Sequence, residues 1–363
     1  MKFLLLSVCL WSTIAGWPSP RDQVDGQTRS TSSGESRIRP ASTVGLEFLS
    51  LAKDWKGGVW ISGSAWSLRG LMINDRAGLL FATTIGGIKT ISELQFVNVN
   101  TGWMVDRRAL YRTDDAGTSW RKVSIPDGMD VRSFTFLDSD VGWIGGYDGE
   151  LYKTTDSGQS WKKSELGLKR TIDQISFVDF LHGWASGFSI PDDQRQPRVS
   201  TLFRTVDGGE SWKALSNQDA DAKGSVGALF FLNKSVGWAI EGFQRDIMQT
   251  IDGGQTWSPK RSGRDRSWAS VFFINDREGW ACGHGIAHTT DGGDTWQDQI
   301  GESRPDFFEA IFFADNKHGW TVSKDTAFNT LDGGSTWRAI SDDWKKTIPS
   351  FDTLVHDGQK LGF

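Results

Sequence analysis

Two motifs that recur in phase at a spacing of about forty residues predict an all-β fold, a seven-bladed β-propeller of four-stranded antiparallel blades. The first is an eight-residue turn, seen as TDDAGTSW (Thr113 to Trp120), TTDSGQSW (Thr154 to Trp161), TVDGGESW (Thr205 to Trp212), TIDGGQTW (Thr250 to Trp257), TTDGGDTW (Thr289 to Trp296) and TLDGGSTW (Thr330 to Trp337). Its aspartates, Asp115, Asp156, Asp207, Asp252, Asp291 and Asp332, lie 41, 51, 45, 39 and 41 residues apart, the period of a propeller blade. The second motif is Phe, an aliphatic residue, Asn or Asp, three variable residues and Gly-Trp. It runs from FVNVNTGW (Phe96 to Trp103) to FADNKHGW (Phe313 to Trp320). A worn copy, GVWISG (Gly58 to Gly63), places Trp60 43 residues before Trp103 and brings the units to seven.

Each unit divides into four strands. Strand one ends in the Phe-aliphatic-Asn/Asp segment, and a tight turn reverses it into strand two at Gly-Trp. Strand three carries LYRT, LYKT, LFRT, IMQT, IAHT and AFNT, starting at Leu110, Leu151, Leu202, Ile247, Ile286 and Ala327. Its alternation of apolar and polar residues suits a half-buried strand. The aspartate turn follows. Its carboxylate can accept backbone N–H groups of its own loop, and glycine two positions later accepts positive φ. Strand four opens with the turn tryptophan. Of the 19 tryptophans, 13 occupy the two motifs, which assigns them to packing between blades rather than to a sugar-stacking surface. Trp268, just before a first strand, is the candidate for an exposed binding aromatic.

The C-terminal LVHDGQKLGF (Leu354 to Phe363) aligns on IFFADNKHGW (Ile311 to Trp320) as an orphan first strand. An unpaired strand edge invites aggregation, so Phe351 to Val355 is expected to pair into the unit of Trp60 and close the ring. The alternative is that Leu46 to Leu51 already fills that place.

The repeat covers nearly all of the chain, so one domain is expected over residues 46–363. Residues 1–16 read as a signal peptide: one early cation, Lys2, an apolar run from Phe3 to Leu10, and small residues at Thr13 and Ala15. Residues 17–45 read as a flexible polar leader. Export to the periplasm or exterior is expected. Without the signal, Cys282 is the lone cysteine and no intramolecular disulfide forms. No later run approaches a membrane span, so a soluble monomer without a transmembrane segment is expected. The formal charge of −5 argues against a nucleic-acid partner.

The doublet FxDxxxGW followed by TxDGGxTW resembles the Asp-box, or bacterial neuraminidase, repeat. In this dense form it is similar to the photosystem II stability/assembly factor family of β-propellers, over about residues 46 to 363. The resemblance implies a non-catalytic assembly scaffold binding a protein partner, a membrane-complex subunit, from its exported side. It also implies the thylakoid lumen if the source is photosynthetic. The family's arginine patch has no motif that fixes its positions in this sequence.

Two other readings remain open, an Asp-box glycoside hydrolase or glycan-binding propeller, and an extracellular structural repeat. A retaining sialidase needs a Tyr nucleophile with Glu, an acid/base Asp and three arginines. Here Tyr111 and Tyr152 fill a slot that elsewhere holds Phe203, Met248, Ala287 and Phe328, so they read as packing, and Tyr147 lies in a GYDG turn. Cys282, His284 and His288 lack a fourth ligand, so no metal is expected, and no cofactor motif is present. The residues free to vary lie on the loops opposite the aspartate turns. They include Arg107, Arg108, Arg170, Arg195, Arg198, Arg264 and Arg266, which with Trp268 form the candidate binding face. The longest insertion, GFSIPDDQRQPRVST (Gly187 to Thr201), lies on the same side.

Overall fold

Short turns between successive strands make sequence neighbours pair, and each repeat accordingly forms its own antiparallel sheet. The structure, a computed structural model, describes residues 7–8, 46–54, 58–65, 69–76, 79–85, 90–106, 109–166, 170–188, 200–215, 226–241, 246–260, 267–300, 307–324 and 326–340. Six four-stranded blades follow one another, each paired in the order of its strands. Their first and fourth strands are Glu93–Phe96 and Arg121–Lys122, Ser133–Phe136 and Lys162–Lys163, and Thr171–Phe177 and Lys213–Leu215 in blades 1 to 3. In blades 4 to 6 they are Val226–Phe231 and Ser258–Lys260, Trp268–Phe273 and Gln297–Ile300, and Phe308–Phe313 and Arg338–Ala339. The chain is thus an all-β propeller.

Burial falls from first strand to fourth. Phe134, Phe136, Phe273 and Phe308 of the first strands are almost wholly buried, whereas Arg121, Lys122, Lys162 and Lys163 of the outer strands are exposed. Outer strands of two to four residues, rich in Lys and Arg, offer little edge to a foreign strand.

The two motifs interlock across blade boundaries. In blades 1 to 5 the Gly-Trp indole stacks on the motif phenylalanine of the next blade: Trp103 on Phe136 at 3.8 Å, Trp143 on Phe177 at 3.6 Å, and Trp184 on Phe231 at 3.5 Å. Trp238 on Phe273 and Trp280 on Phe313 repeat this at 3.6 Å. The same phenylalanines meet the edge of their own blade's turn tryptophan, as in Phe177 with Trp212 at 90°. The indole N–H donates to a turn carbonyl of the next blade, from Trp143 to Gly208 (3.2 Å), Trp184 to Gly253 (2.9 Å), Trp238 to Gly292 (3.1 Å) and Trp280 to Gly333 (3.1 Å). Trp103 makes no such bond; the turn of blade 2 has Ser157 where those of blades 3 to 6 have glycine. The glycine before each tryptophan is obligatory because the phenylalanine ring of its own blade lies where a Cβ would be, 2.3 Å away at Gly142 and 2.4 Å at Gly279.

The first unit departs from the expected blade. Leu46–Asp54, Gly58–Ala65, Arg69–Arg76 and Leu79–Ile85 pair in that order, and Ser7–Val8 adds a fifth strand against Leu51 and Ala52. This sheet lacks the aspartate turn, and its four long strands have seven to nine residues. Six blades, rather than seven, therefore carry the predicted outline. Trp60 nevertheless stacks on Phe96 of blade 1 at 5.5 Å. On the other side Leu51, Val59 and Ile61 share a core cluster with Phe312 and Trp320 of blade 6. Phe351 to Val355 lies outside the described residues, and the place beside the Trp60 strand is filled by Leu46–Asp54. Leu46–Leu51 thus occupies the place named in the alternative, while the expected pairing of Phe351 to Val355 falls outside the described residues. Among the described residues no helix is long and apolar enough to cross a membrane.

Candidate functional site

The aspartate turns are closed hydrogen-bond units. In all six, the first threonine donates its hydroxyl to Oδ1 of the aspartate at 2.7–2.8 Å and accepts the N–H of the glycine four residues on at 2.8–2.9 Å. The Ser or Thr four residues after the aspartate donates its N–H to Oδ1 at 2.8–3.0 Å and its hydroxyl to Oδ2 at 2.5–2.7 Å. Both carboxylate oxygens are occupied inside the turn. Donation by the Ser or Thr hydroxyl, then by its N–H, holds the carboxyls of Asp115, Asp156 and Asp291 down at about 2. At Asp207 partial burial opposes the charge, yet Ser211 and Thr205 still bring it to about 2. Two consecutive residues after each aspartate have positive φ, including the non-glycine Ala116 (58°) and Ser157 (66°), where sequence reasoning assigned only the second.

Because strands alternate in direction, the loops between strands two and three and the connections between blades lie at the opposite end. The long hairpin of blade 3 is extended there by Gly183–Phe188 and Ser200–Thr205, with the middle of its insertion, residues 189–199, outside the described residues. A β-bulge between Ile172 and Gln174 sets Asp173 out of register, a common device for re-aiming a side chain. Asp173, 3% exposed, is met by the Arg132 guanidinium from blade 2, whose Nε and Nη2 both lie 2.7 Å from Oδ1. Thr171 donates to its other oxygen at 3.1 Å. Arg132 Nη1 donates to the Tyr147 hydroxyl at 2.8 Å, and the guanidinium lies 4.9 Å from that ring. Burial opposes the guanidinium charge, but Asp173 more than compensates and the pKa is raised.

Tyr147 opens a two-residue hairpin in which Asp148 (φ 52°) and Gly149 (φ 80°) are both left-handed, the geometry that matches strand twist. Gly149 N–H donates to the Arg170 carbonyl at 2.5 Å, and Arg170 Nε donates to Thr201 Oγ1 at 3.2 Å, which joins the hairpins of blades 2 and 3. Burial pushes the Glu150 carboxyl up. Beside this network a groove of about 650 Å³ runs over Val123, Ile125, Pro126 and Met129, with Lys122, Asp127 and Asp130 at its margin.

The candidate residues have different fates. Arg170 lies on the loop end, half-buried and bonded as above. Arg107, Arg108, Arg195, Arg198, Arg264 and Arg266 lie outside the described residues. Trp268 is not an exposed aromatic. At 1% exposure it lies in the first strand of blade 5, opposite Gly283 and 6.3 Å from the Trp296 ring, where innermost strands bury their large side chains. Cys282, His284 and His288 do not converge: the buried Cys282 thiol approaches the Phe308 carbonyl, His284 meets Phe307 edge-on, and His288 stacks on Trp280 at 4.7 Å. His288 thereby serves like Arg112 and Lys153, which sit over Trp103 (5.0 Å) and Trp143 (5.7 Å). Sequence reasoning missed the Arg132–Asp173 pair. Its available signal was opposite charge at positions 41 residues apart, one repeat, at the start of two successive first strands: Arg132 directly before Ser133–Phe136, and Asp173 early in Thr171–Phe177.

Six interlocked blades whose turn carboxylates are spent internally define a β-propeller with a structurally committed turn face and a variable loop face. A family model described as "Photosynthesis system II assembly factor YCF48" matches residues 82–171 and 219–305. Over those residues, just under half of the chain, the sequence resembles the photosystem II assembly factor-like β-propellers. Among solved structures, "YCF48 bound to D1 peptide" superposes with a TM-score of 0.64 at 17% identity, over 79% of this chain and 93% of that one. YCF48 from Cyanidioschyzon merolae gives 0.60 at 16%, over 78% and 95%. A GH74 enzyme from Niastella koreensis gives 0.63 at 12%, over 81% of this chain and 54% of that one. At these identities the likeness is one of fold. No curated protein matches the chain in sequence.

Proposed function

We propose that this protein is a non-catalytic assembly scaffold, exported, which holds an extended segment of a protein partner on its loop face. The observation that carries this reading is the contrast between the two ends of the propeller. At one end both oxygens of every turn aspartate are consumed by their own loop. At the other, an open groove runs to Asp130, two residues before Arg132 of the Arg132–Asp173–Tyr147 network. A relative in this family is described as bound to a D1 peptide, which supports a membrane-complex subunit as the class of partner here.

A hydrolytic role is disfavoured by the chemistry of the face. The Tyr147 hydroxyl is engaged by Arg132, whose guanidinium is itself committed to Asp173, so that tyrosine is held as a structural strut rather than poised as a nucleophile. In the same reading the first sheet acts as a seventh blade between blades 6 and 1, because its core residues pack toward both.

The test is binding of the full chain to an array of extended peptides from subunits of membrane complexes. Replacing Arg195, Arg198, Arg264 and Arg266, which the sequence assigns to the loop face, by Glu should abolish the selected interactions, while Ile251→Ser on the turn face leaves them intact. Equal binding by both variants would refute the assignment.

A further inference from the structure

The seven described sheets treat their outer edges differently. Six end in strands of two to four residues, with sequences such as RK, KK and SPK, which are short, charged or interrupted by proline. The first sheet ends in the seven-residue strand Leu79–Ile85, Leu-Leu-Phe-Ala-Thr-Thr-Ile, with no charge and no proline. It pairs with Arg69–Arg76 along its whole length and, among the described residues, with nothing on its other side. A long uncharged edge of this kind presents a row of free N–H and C=O groups and is an aggregation hazard unless a strand covers it.

We propose that the occupant is the chain's own segment Phe351 to Val355, added as an outermost strand on Leu79–Ile85. Phe-Asp-Thr-Leu-Val is rich in strand-forming residues. It follows Ile340, which comes directly after the outer strand of blade 6, Arg338–Ala339. Blade 6 packs through Phe308–Phe313 and Gly319–Ser323 against Leu46–Asp54 of the first sheet, so the two outer edges belong to neighbouring sheets. The ten residues from 341 to 350 reach about 33 Å when extended, roughly seven strand spacings and more than the width of a four-stranded sheet. A tether of that length gives the segment an effective concentration in the millimolar range, far above that of any free strand. On the inner side Leu46–Asp54 already fills the place beside Gly58–Ala65, so the innermost position of a four-stranded blade is taken.

The experiment combines cross-linking with hydrogen exchange on the full chain. With p-benzoylphenylalanine at position 351, photolysis of the monomer should give intrachain cross-links to residues 79–85. In Thr353→Pro, which removes a donor from the added strand, the amides of residues 79–85 should exchange about tenfold faster, while those of Gly142–Gly145 in blade 2 stay unchanged. Cross-links to Leu46–Asp54, which would mean inner-edge closure, overturn the proposal. So do cross-links confined to dimers, which would mean that a second copy covers the edge, and so does exchange at 79–85 that ignores Thr353→Pro.

Discussion

Removing one turn carboxylate separates a folding device from a ligand site, and Asp252→Ala is the informative case. Asp252 Oδ1 accepts from the Thr250 hydroxyl at 2.8 Å and from the Thr256 N–H at 2.9 Å, while Oδ2 accepts the Thr256 hydroxyl at 2.6 Å. Three hydrogen bonds are lost. Thr256 is exposed, so water recovers its two donors and each of those bonds contributes little net. The Thr250 hydroxyl is different: it also accepts the buried Gly254 N–H at 2.8 Å and is oriented by the carboxylate. The loop carries Gly253 at φ 75° and Gly254 at φ 89°, and the Gly253 carbonyl receives the buried Trp184 N–H of the preceding blade. Loosening the loop therefore weakens an inter-blade bond as well. One to two net hydrogen bonds, at about 1 kcal/mol each with some desolvation penalty, give a loss of about 1 to 3 kcal/mol. For 2 kcal/mol the melting temperature falls by about 4 °C. Chemical denaturation monitored by tryptophan fluorescence measures the change, and peptide binding at low temperature should survive. An unchanged midpoint together with lost binding would refute the reasoning and make the turn a ligand site.

Three further outcomes follow from the same geometry. Arg132→Ala strands the buried Asp173 carboxylate and should cost about 3 kcal/mol, with Asp173→Asn in the same background recovering part of it in the same denaturation assay. Asp115, Asp156, Asp207 and Asp291 have carboxyls near 2 in the folded chain, below the unfolded value of about 3.9, so the stability they contribute is full above about pH 4 and is lost as pH falls toward 2. Acid titration of the denaturation midpoint reads this loss, and a flat profile over that window would contradict it. A fluorogenic glycoside panel should show no turnover, and turnover that vanished in Tyr147→Phe would overturn the non-catalytic reading.

The blades were legible in the sequence because their determinants are local and periodic. A Thr-x-Asp turn completes its hydrogen bonds within seven residues, and alternation along Leu110 to Thr113 fixes which side of the strand faces inward, so neither needs knowledge of distant chain. Packing of the thirteen motif tryptophans followed for the same reason, since only a shared structural role repeats them at one register. Trp268 was misplaced although its slot repeats, five residues before each motif phenylalanine, as Ile91, Val131, Ile172, Val226 and Phe308; that apolar period marks a core position, and the bulge between Trp268 and Ser270 starts the first strand earlier than the motif indicates. Ser157 and Ala116 show the reverse case, in which the turn imposes left-handed backbone on residues whose identity does not announce it.

By itself, then, the sequence determined the strand order, the turn chemistry and the choice of Phe, Gly and Trp at the blade boundaries, because each arises from contacts that recur with the repeat. Only the tertiary structure decided which non-repeated groups meet. Arg132, Asp173 and Tyr147 come together because adjacent blades bring equivalent slots side by side and a bulge turns one of them toward the other. The first sheet lost the turn motif yet kept its place against Phe96 on one side and Phe312 on the other, since packing of apolar strands requires shape and burial but no particular loop sequence.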